Sequence, residues 1–228
     1  MELLLIRHAL PERIETADGS AADPPLSAIG RAQAERVARW LAADANFAQR
    51  AQVSRSELQA SEDHKVGERR PSGLIDAVYT SPMRRARETA EPLALALGAA
   101  IAVDAGLVEM DHLSDVYVPL EQLKAEDYPR WQELVQRGGL YAGVDLTAFR
   151  RNVVASVERA IAAWPGGRVA VVCHGGVINA WAGHVLGIAD PFFLDVAYTG
   201  VSRFLAASTG ERSVRSLNET AHLREVGD

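Results

Sequence analysis

The chain has 228 residues, of which 48% are hydrophobic and 24% are charged, and its formal net charge is −6. This length suits one large domain, because single hydrophobic cores stop growing only near about 250–300 residues, and the negative charge argues against general affinity for nucleic acid or anionic membranes. The single cysteine, Cys173, rules out an internal disulfide framework. Because no apolar run resembles a signal peptide or approaches the ~20 residues of a membrane span, we expect a cytoplasmic protein.

Short apolar runs alternate with helical patterns along the chain, which is typical of βαβ units around a mostly parallel sheet. The predicted strands are 2–8, 74–80, 100–103 and 168–174, followed by two hairpin or edge strands in VSRFLAAS and RSVRSLN. The predicted helices are 26–45, 81–98, 119–137, 145–164 and 176–187. We expect Ser27 to cap the first helix, Gly187 to close the last, and Pro92 and Pro129 to bend or break theirs. The sequence therefore predicts an α/β fold.

Between the first helix and the second strand lies a polar insertion at about 46–73. It is much longer than the about 2–6 residues of a typical connection in such folds. We favour a mobile, solvated loop, because its composition is polar. The alternatives are a short covering helix, a lid, or a dimer contact in which Lys65, Arg69 and Arg70 help to attract an anion.

Polar side chains follow the predicted strands at the points where these strands end. Arg7 and His8 end the first strand, Arg85 comes shortly after the second, and His174 ends the strand at 168–174, while Glu109 lies just beyond the third. Because ligands of open α/β sheets bind at the carboxyl ends of the strands, we expect these side chains to meet at one edge. Arginine binds phosphate oxygens bidentately, a neutral imidazole is a competent nucleophile, and a carboxylic acid can protonate a leaving alkoxide. The cluster therefore suits phosphoryl transfer.

Five stretches carry a resemblance to a known family: LLLIRHALPER, DPPLSAIGRAQAERVARWL, DAVYTSPMRRARETAEPLA, LVEM and VAVVCHGGVINAW. In this order they resemble the histidine phosphatase superfamily, which has the phosphoglycerate mutase-like fold. The similarity covers 1–45, 74–110 and about 150–190. It implies a single histidine phosphatase domain over 1–228, built as a three-layer α/β/α sandwich with a mostly parallel central sheet.

The resemblance also implies a role for each residue of the cluster. His8 is the phosphate-accepting nucleophile, Arg7 and Arg85 bind the phosphoryl oxygens, His174 donates to the phosphoryl group, and Glu109 is the general acid and base. The implied activity is that of a histidine acid phosphatase-type phosphomonoesterase that acts on a small phosphorylated substrate without a metal or other cofactor. A homodimer is an expectation at the level of the family, and the sequence itself leaves the oligomeric state open.

The sequence departs from the family pattern at three points. Ala9 follows the nucleophile where glycine is common, and Ile14 stands where many members have a phosphate-binding asparagine, so Arg13 or Thr16 would have to replace it. The arginine that follows the acid in phosphoglycerate mutases is missing after Glu109, which favours a phosphatase over a mutase. A phosphomutase and a non-catalytic protein that binds a phosphorylated ligand remain alternatives.

Two further alternatives concern individual residues. Asp111 could replace Glu109 as the acid, or join it with His8 and His174 in a metallohydrolase site, although arginines among the ligands would repel a cation. Cys173 is expected to be a buried structural thiol, because the C-x5-R loop of a cysteine phosphatase would require arginine where Asn179 stands. No catalytic role is predicted for the three remote histidines, His64, His184 and His222, whereas His112 either lines the pocket or faces water.

Overall fold

The structure is a computed structural model, and it describes residues 1–59, 74–135, 139 and 142–224, with only the backbone described over 44–59. The strands are β1 (Glu2–Arg7), β2 (Ile14–Glu15), β3 (Ala77–Thr80), β4 (Ile101–Val103), β5 (Val116–Tyr117), β6 (Arg168–Cys173), β7 (Val201–Ala206) and β8 (Arg212–Glu219). The α-helices among the described residues are α1 (Ala28–Gln59), α2 (Arg84–Leu97), α3 (Leu120–Glu126), α4 (Tyr128–Val135), α5 (Leu146–Ala163) and α6 (Gly175–Leu186). None of these helices is both long and apolar enough to cross a membrane.

The central sheet has six strands in the order β4-β3-β6-β1-β7-β8. The first four of these strands are mutually parallel, and β7 and β8 form an antiparallel hairpin at one edge. Both features confirm the sequence prediction. In the register of β1 and β6, Arg7 pairs with Cys173, so the residues that follow these two strands emerge side by side.

The two faces of the sheet are covered by different helices. Leu3, Leu5 and Val171 point to one core, which they share with α5 and α6. Leu4 and Ile6 point to the other core, which they share with α1 and α2. Because side chains alternate between the faces of a strand, the continuous apolar run of β1 fills both cores, and the three-layer α/β/α sandwich is confirmed. The Cys173 thiol is fully buried in the core of α5 and α6, as expected.

Helix ends largely follow the sequence signals. Ser27 Oγ accepts a hydrogen bond from the Gly30 amide at 3.0 Å and so caps α1. Gly187 ends α6 with a positive φ of 72°, which glycine adopts without a steric penalty. A break at Asp127, two residues before Pro129, separates α3 from α4.

The secondary structure departs from the sequence-based expectations at three points. The first helix does not end near residue 45 but continues to Gln59, because this polar stretch is rich in alanine, glutamine and arginine, and polarity alone does not end a helix. The rest of the predicted insertion, with His64, Lys65, Arg69 and Arg70, lies outside the described residues. Helix α2 continues through Pro92, because the neighbouring Ala90, Leu93 and Ala94 are packed against the sheet. The small antiparallel sheet of β2 and β5 was not predicted at all.

Candidate active site

His8 follows β1 directly, and its ring is buried at the carboxyl edge of the sheet. Its Nδ1 lies 2.8 Å from the carbonyl oxygen of Ala9. Because a carbonyl oxygen can only accept, Nδ1 carries the proton and Nε2 keeps its lone pair. The Arg85 Nε–H group lies 3.3 Å from this Nε2 atom. Burial, together with the nearby Arg85 and Arg7 charges, holds the His8 pKa well below its usual value. The ring is therefore neutral at pH 7 and presents a nucleophilic nitrogen.

His174 immediately precedes α6, and its ring centre lies 5.1 Å from that of His8. Its Nε2 lies 2.8 Å from the Ser81 hydroxyl oxygen, which follows β3. Its Nδ1 is buried and has no hydrogen-bond partner in the described part of the chain. Burial and the Arg85 and His8 groups lower the pKa of His174 well below its usual value. The second imidazole thus faces the first with one nitrogen fixed by Ser81 and the other available to a ligand.

The Arg7 guanidinium is held on one side and open on the other. Its Nη1 atom donates to Glu121 Oε1 at 3.0 Å and to the carbonyl oxygen of Val196, and the group lies 3.8 Å above the centre of the Tyr198 ring. Its Nε atom is buried and, among the residues described, has no partner. A Cβ atom added to Gly175 would lie 3.9 Å from this Nε atom, so the open side of Arg7 faces the start of α6.

Arg85 lies in the first turn of α2 and is only 1% exposed. Its Nη2 atom donates to both carboxylate oxygens of Asp111, at 2.8 and 3.2 Å, and its guanidinium carbon lies 4.5 Å from the centre of the Tyr117 ring. Its Nη1 atom is buried without a partner among the described groups. Unsatisfied buried donors are costly. Binding of an oxyanion beside the lone pair of His8 would satisfy this buried donor, and the arrangement therefore favours such binding.

Glu109 approaches the cluster from the loop after β4. Its Oε2 accepts a hydrogen bond from the Gly176 amide at 2.8 Å, and its Oε1 accepts one from Met110 at 3.0 Å. Desolvation, with a further contribution from the Asp111 charge, raises the pKa of Glu109 to about 7. A Cβ atom at position 176 would collide with the Glu109 carboxyl group and the end of the Met110 side chain, so glycine lets this carboxyl group lie against the start of α6. A carboxyl group that titrates near neutrality can both give and take a proton.

The structure distinguishes the two candidate acids by their surroundings. Asp111 forms an ion pair with Arg85, so a proton on its carboxylate would weaken that pair. Glu109 receives its two hydrogen bonds from neutral backbone amides. His112 is exposed, and its Nδ1 lies 2.8 Å from the Glu109 carbonyl oxygen rather than facing the cluster. Glu109, whose pKa is raised to about 7, can hold a proton at neutral pH without loss of an ion pair.

The side chains proposed to replace the missing asparagine lie elsewhere. The exposed Arg13 side chain pairs with Glu126 at 3.4 Å, and the Thr16 hydroxyl donates to backbone oxygens of its own loop and of Asp115. Ile14 pairs with Tyr117 in the small sheet. The structure thus does not bring Arg13 to the imidazoles, and its role in substrate binding stays a prediction.

Several contacts in the site were missed at the sequence level. Glu121 and Tyr198 flank Arg7, Tyr117 covers Arg85, and the Thr89 hydroxyl accepts from the Ala9 amide at 2.9 Å and donates to the Arg85 carbonyl at 2.7 Å. Thr89 lies one turn after Arg85 on α2, so helical spacing could have identified it. Glu121, Tyr117 and Tyr198 lie on segments with no motif, and the sequence contained no comparable signal for them.

The described residues include no group of three or more His, Cys, Asp or Glu side chains that could hold a metal ion. Two of the remote histidines, His184 and His222, lie outside the cluster, since His184 is exposed on α6 and His222 stacks on Trp40.

Most of the chain matches the model of a known protein family. Residues 56–220 match the family model described as the histidine phosphatase superfamily, branch 1. None of the curated proteins matches the chain closely in sequence.

The fold itself has similar solved structures. Phosphoserine phosphatase from Entamoeba histolytica, in complex with 3-phosphoglyceric acid, is 18% identical with a TM-score of 0.64, and the match covers 98% of this chain and 99% of that one. YhfR from Bacillus stearothermophilus is 19% identical with a TM-score of 0.65, over 98% and 99% of the two chains. Mycobacterial glucosyl-3-phosphoglycerate phosphatase is 19% identical with a TM-score of 0.61, over 96% and 99%. At these identities, the likeness establishes the phosphoglycerate mutase-like fold.

Proposed function

Because the chain belongs to branch 1 of the histidine phosphatase superfamily, we propose that it is a metal-independent phosphomonoesterase that works through a phosphohistidine on His8. The observation that carries the proposal is the convergence of a neutral imidazole lone pair with three buried nitrogen atoms that lack partners among the described residues. These atoms are Arg7 Nε, Arg85 Nη1 and His174 Nδ1. A phosphoryl group is tetrahedral and anionic, and it would supply the missing acceptors. The names of two similar structures, a phosphoserine phosphatase and a glucosyl-3-phosphoglycerate phosphatase, favour phosphate ester hydrolysis.

In the first proposed step, His8 Nε2 attacks the phosphorus atom of the bound ester. The N–P bond forms while the bond from phosphorus to the alcohol oxygen breaks, and Glu109 transfers its proton to the departing oxygen. Arg7, Arg85 and His174 stabilise the charge on the phosphoryl oxygens, which stay in place through the transfer. The hydrogen bond from Nδ1 to the Ala9 carbonyl stabilises the positive charge that develops on the ring.

In the second step, the Glu109 carboxylate removes a proton from a water molecule, and the oxygen of that water attacks phosphorus. The N–P bond breaks, inorganic phosphate leaves, and His8 returns to its neutral form with Nδ1 still protonated. Glu109 ends the cycle protonated, as it began. A pKa of about 7 fits both tasks, because the acid and the base are then populated in comparable amounts at neutral pH.

The decisive experiment combines turnover with chemical trapping of the intermediate. The protein should release phosphate from p-nitrophenyl phosphate, and brief exposure to a radiolabelled ester should yield a phosphoprotein that is stable in alkali and labile in acid, as an N–P bond is. His8→Ala should lose the label and at least about 10³-fold in kcat, since the nucleophile is removed. The matched control is His184→Ala, an exposed histidine of α6 that should keep both.

The outcomes separate the alternatives. If His8→Ala hydrolyses the ester at the wild-type rate, the proposal is wrong. With 3-phosphoglycerate, formation of the isomeric phosphoglycerate instead of free phosphate would indicate a phosphomutase. A wild-type protein that binds phosphate esters without turnover would be a binding protein. A panel of sugar phosphates, phosphoglycerates, nucleotides and phosphopeptides would then narrow the substrate.

A further inference from the structure

The two arginines of the site are each paired with a carboxylate that lies on the segment between β4 and α4. Arg7 Nη1 contacts Glu121 and Arg85 Nη2 contacts Asp111. The two positive charges are thus balanced by two negative charges before any ligand enters. The imidazoles add no charge, because both have a strongly lowered pKa.

These carboxylates do not occupy the atoms that a phosphoryl group needs. Glu121 is bound to Nη1 of Arg7, whereas the unpartnered Nε atom faces Gly175. Asp111 is bound to Nη2 of Arg85, whereas the unpartnered atom is Nη1. A phosphoryl group can therefore bind while both ion pairs stay intact. The rest of the substrate then meets a site that still contains two fixed carboxylates.

Three cations on neighbouring described segments are also engaged in contacts. Arg13 pairs with Glu126, Arg84 pairs with Glu88 at 2.6 Å, and the Lys124 ammonium lies over the Trp131 ring at 4.6 Å.

Two other arginines, Arg150 and Arg151, line a separate cavity of about 600 Å³ between α5 and α6. That cavity reaches Met110 and Gly176, but neither arginine of the cluster and neither of their carboxylate partners lines it. Arg150 and Arg151 therefore line a different part of the protein from Glu121 and Asp111.

Resting on the proposed function, we propose that the site selects phosphate monoesters of neutral or amino alcohols and rejects esters that carry a second anionic group. Glu121 and Asp111 set this preference. A carboxylate or second phosphate on the alcohol part would approach these carboxylates, while the two arginines that could otherwise attract it are already paired with them. An ammonium group would instead be attracted to the same carboxylates.

The test uses two esters of similar size and opposite charge at the far end, O-phosphoethanolamine and phosphoglycolate. Each is measured as a competitive inhibitor of p-nitrophenyl phosphate hydrolysis, so that the reactivity of its own leaving group does not enter the comparison. In the wild type, phosphoethanolamine should bind at least about tenfold more tightly than phosphoglycolate. In Glu121→Gln, which keeps the size and hydrogen bonding of the side chain but removes its charge, the ratio should fall by about tenfold.

Two further variants make the result unambiguous. Asp111→Asn should reduce the ratio in the same direction, which covers the case in which Glu121→Gln disturbs Arg7. Glu133→Gln removes one negative charge from an exposed ion pair with Arg130 on α4, and it should leave the ratio unchanged.

The inference is overturned if the wild type binds phosphoglycolate as tightly as phosphoethanolamine, or if the ratio is the same in the wild type, Glu121→Gln and Asp111→Asn. Failure of the proposed function looks different, because p-nitrophenyl phosphate would then not be hydrolysed. The same ratio would in that case be measured by isothermal titration calorimetry with the two esters.

Discussion

Replacing Glu109 with glutamine should change the stability of the protein, relative to the wild type, more favourably at alkaline pH than at acidic pH. The pKa of this carboxyl group is raised from its ordinary 4.5 to about 7, first by desolvation and then by Asp111. The folded state therefore binds a proton between these pH values that the unfolded chain has released. Stability from this group is fully present below about 4.5 and is lost as the pH rises through about 7.

The size of the effect follows from the pKa values. Each pH unit by which a pKa moves corresponds to about 1.4 kcal/mol, so between pH 5 and pH 8 the wild type loses about 2.5 kcal/mol of unfolding free energy through Glu109. Glutamine carries no titrating proton and loses none. It has one acceptor oxygen for the two backbone amides that Glu109 accepts from. That cost is the same at both pH values and drops out of the comparison.

The assay is urea denaturation of the wild type and Glu109→Gln at pH 5 and pH 8. The difference in unfolding free energy between the two proteins should shift by about 2.5 kcal/mol in favour of glutamine at pH 8. The buried histidines have lowered pKa values, so both proteins gain stability as the pH rises to about 6.5. This contribution cancels when the unfolding free energies of the two proteins are subtracted. The control, Glu133→Gln on the surface of α4, should show no such shift. A pH-independent difference for Glu109→Gln would refute the raised pKa and, with it, the proposed role of this carboxyl group as an acid at neutral pH.

The site supports three further predictions. Above about pH 7, the kcat/KM for an alkyl phosphate should fall about tenfold per pH unit, because Glu109 loses its proton. The kcat/KM for p-nitrophenyl phosphate should show no such fall, because its leaving group needs no proton. The measurement is a pH–rate profile for each of the two substrates. Gly176→Ala places a methyl group against the Glu109 carboxyl and Met110, so kcat for the alkyl ester should drop at least about tenfold while circular dichroism shows a folded protein. Ser81→Ala removes the hydrogen-bond partner of His174 Nε2. It should lower kcat by about tenfold, which corresponds to about 1.4 kcal/mol, with little change in Tm. Unchanged steady-state kinetics would show that Ser81 does not position the His174 ring.

Most of the sheet could be predicted from the sequence, because its central strands have an unmistakable pattern. In β1 and β6 every residue is buried or nearly so, and such strands appear as continuous apolar runs between turn signals. The extension of α1 to Gln59 was missed because polarity suggested a loop, although helix-forming residues continue throughout. The sheet of β2 and β5 was missed for a different reason. Each strand has two residues, and the pairing joins segments about a hundred residues apart, so no local period exists.

Some parts of the candidate site could likewise be predicted from the sequence, and others could not. His8 and His174 could be placed together, because each follows a parallel strand and the carboxyl ends of parallel strands share an edge. Asp111 was placed near the cluster as an alternative acid, but Glu121 could not be placed, since it lies on a short helix that has no fixed relation to the sheet at the level of sequence. Arg13 is the opposite case. It is near His8 in sequence, but the chain turns away after Pro11 and its side chain pairs with Glu126 at the surface.

The carboxylate partners of the arginines also stabilise the buried charges of the candidate site. The Arg85 guanidinium is almost fully buried, and a buried charge without a partner is costly, so Asp111 stabilises the site when no ligand is bound. Asp111→Asn should therefore lower the free energy of unfolding by about 1–3 kcal/mol, less than for a fully buried pair because Asp111 is partly exposed.

Inorganic phosphate should restore part of this stability. An anion that binds the freed guanidinium replaces the missing charge, and it should raise the Tm of Asp111→Asn by more than it raises the Tm of the wild type. Thermal unfolding with and without phosphate measures both quantities, and an equal rise in the two proteins would mean that Asp111 does not balance Arg85. If the rise is larger in the variant, the same carboxylate that keeps the empty site stable also limits how strongly it attracts anions. The Arg85–Asp111 pair would then both stabilise the protein without a ligand and weaken the binding of esters that carry a second anionic group.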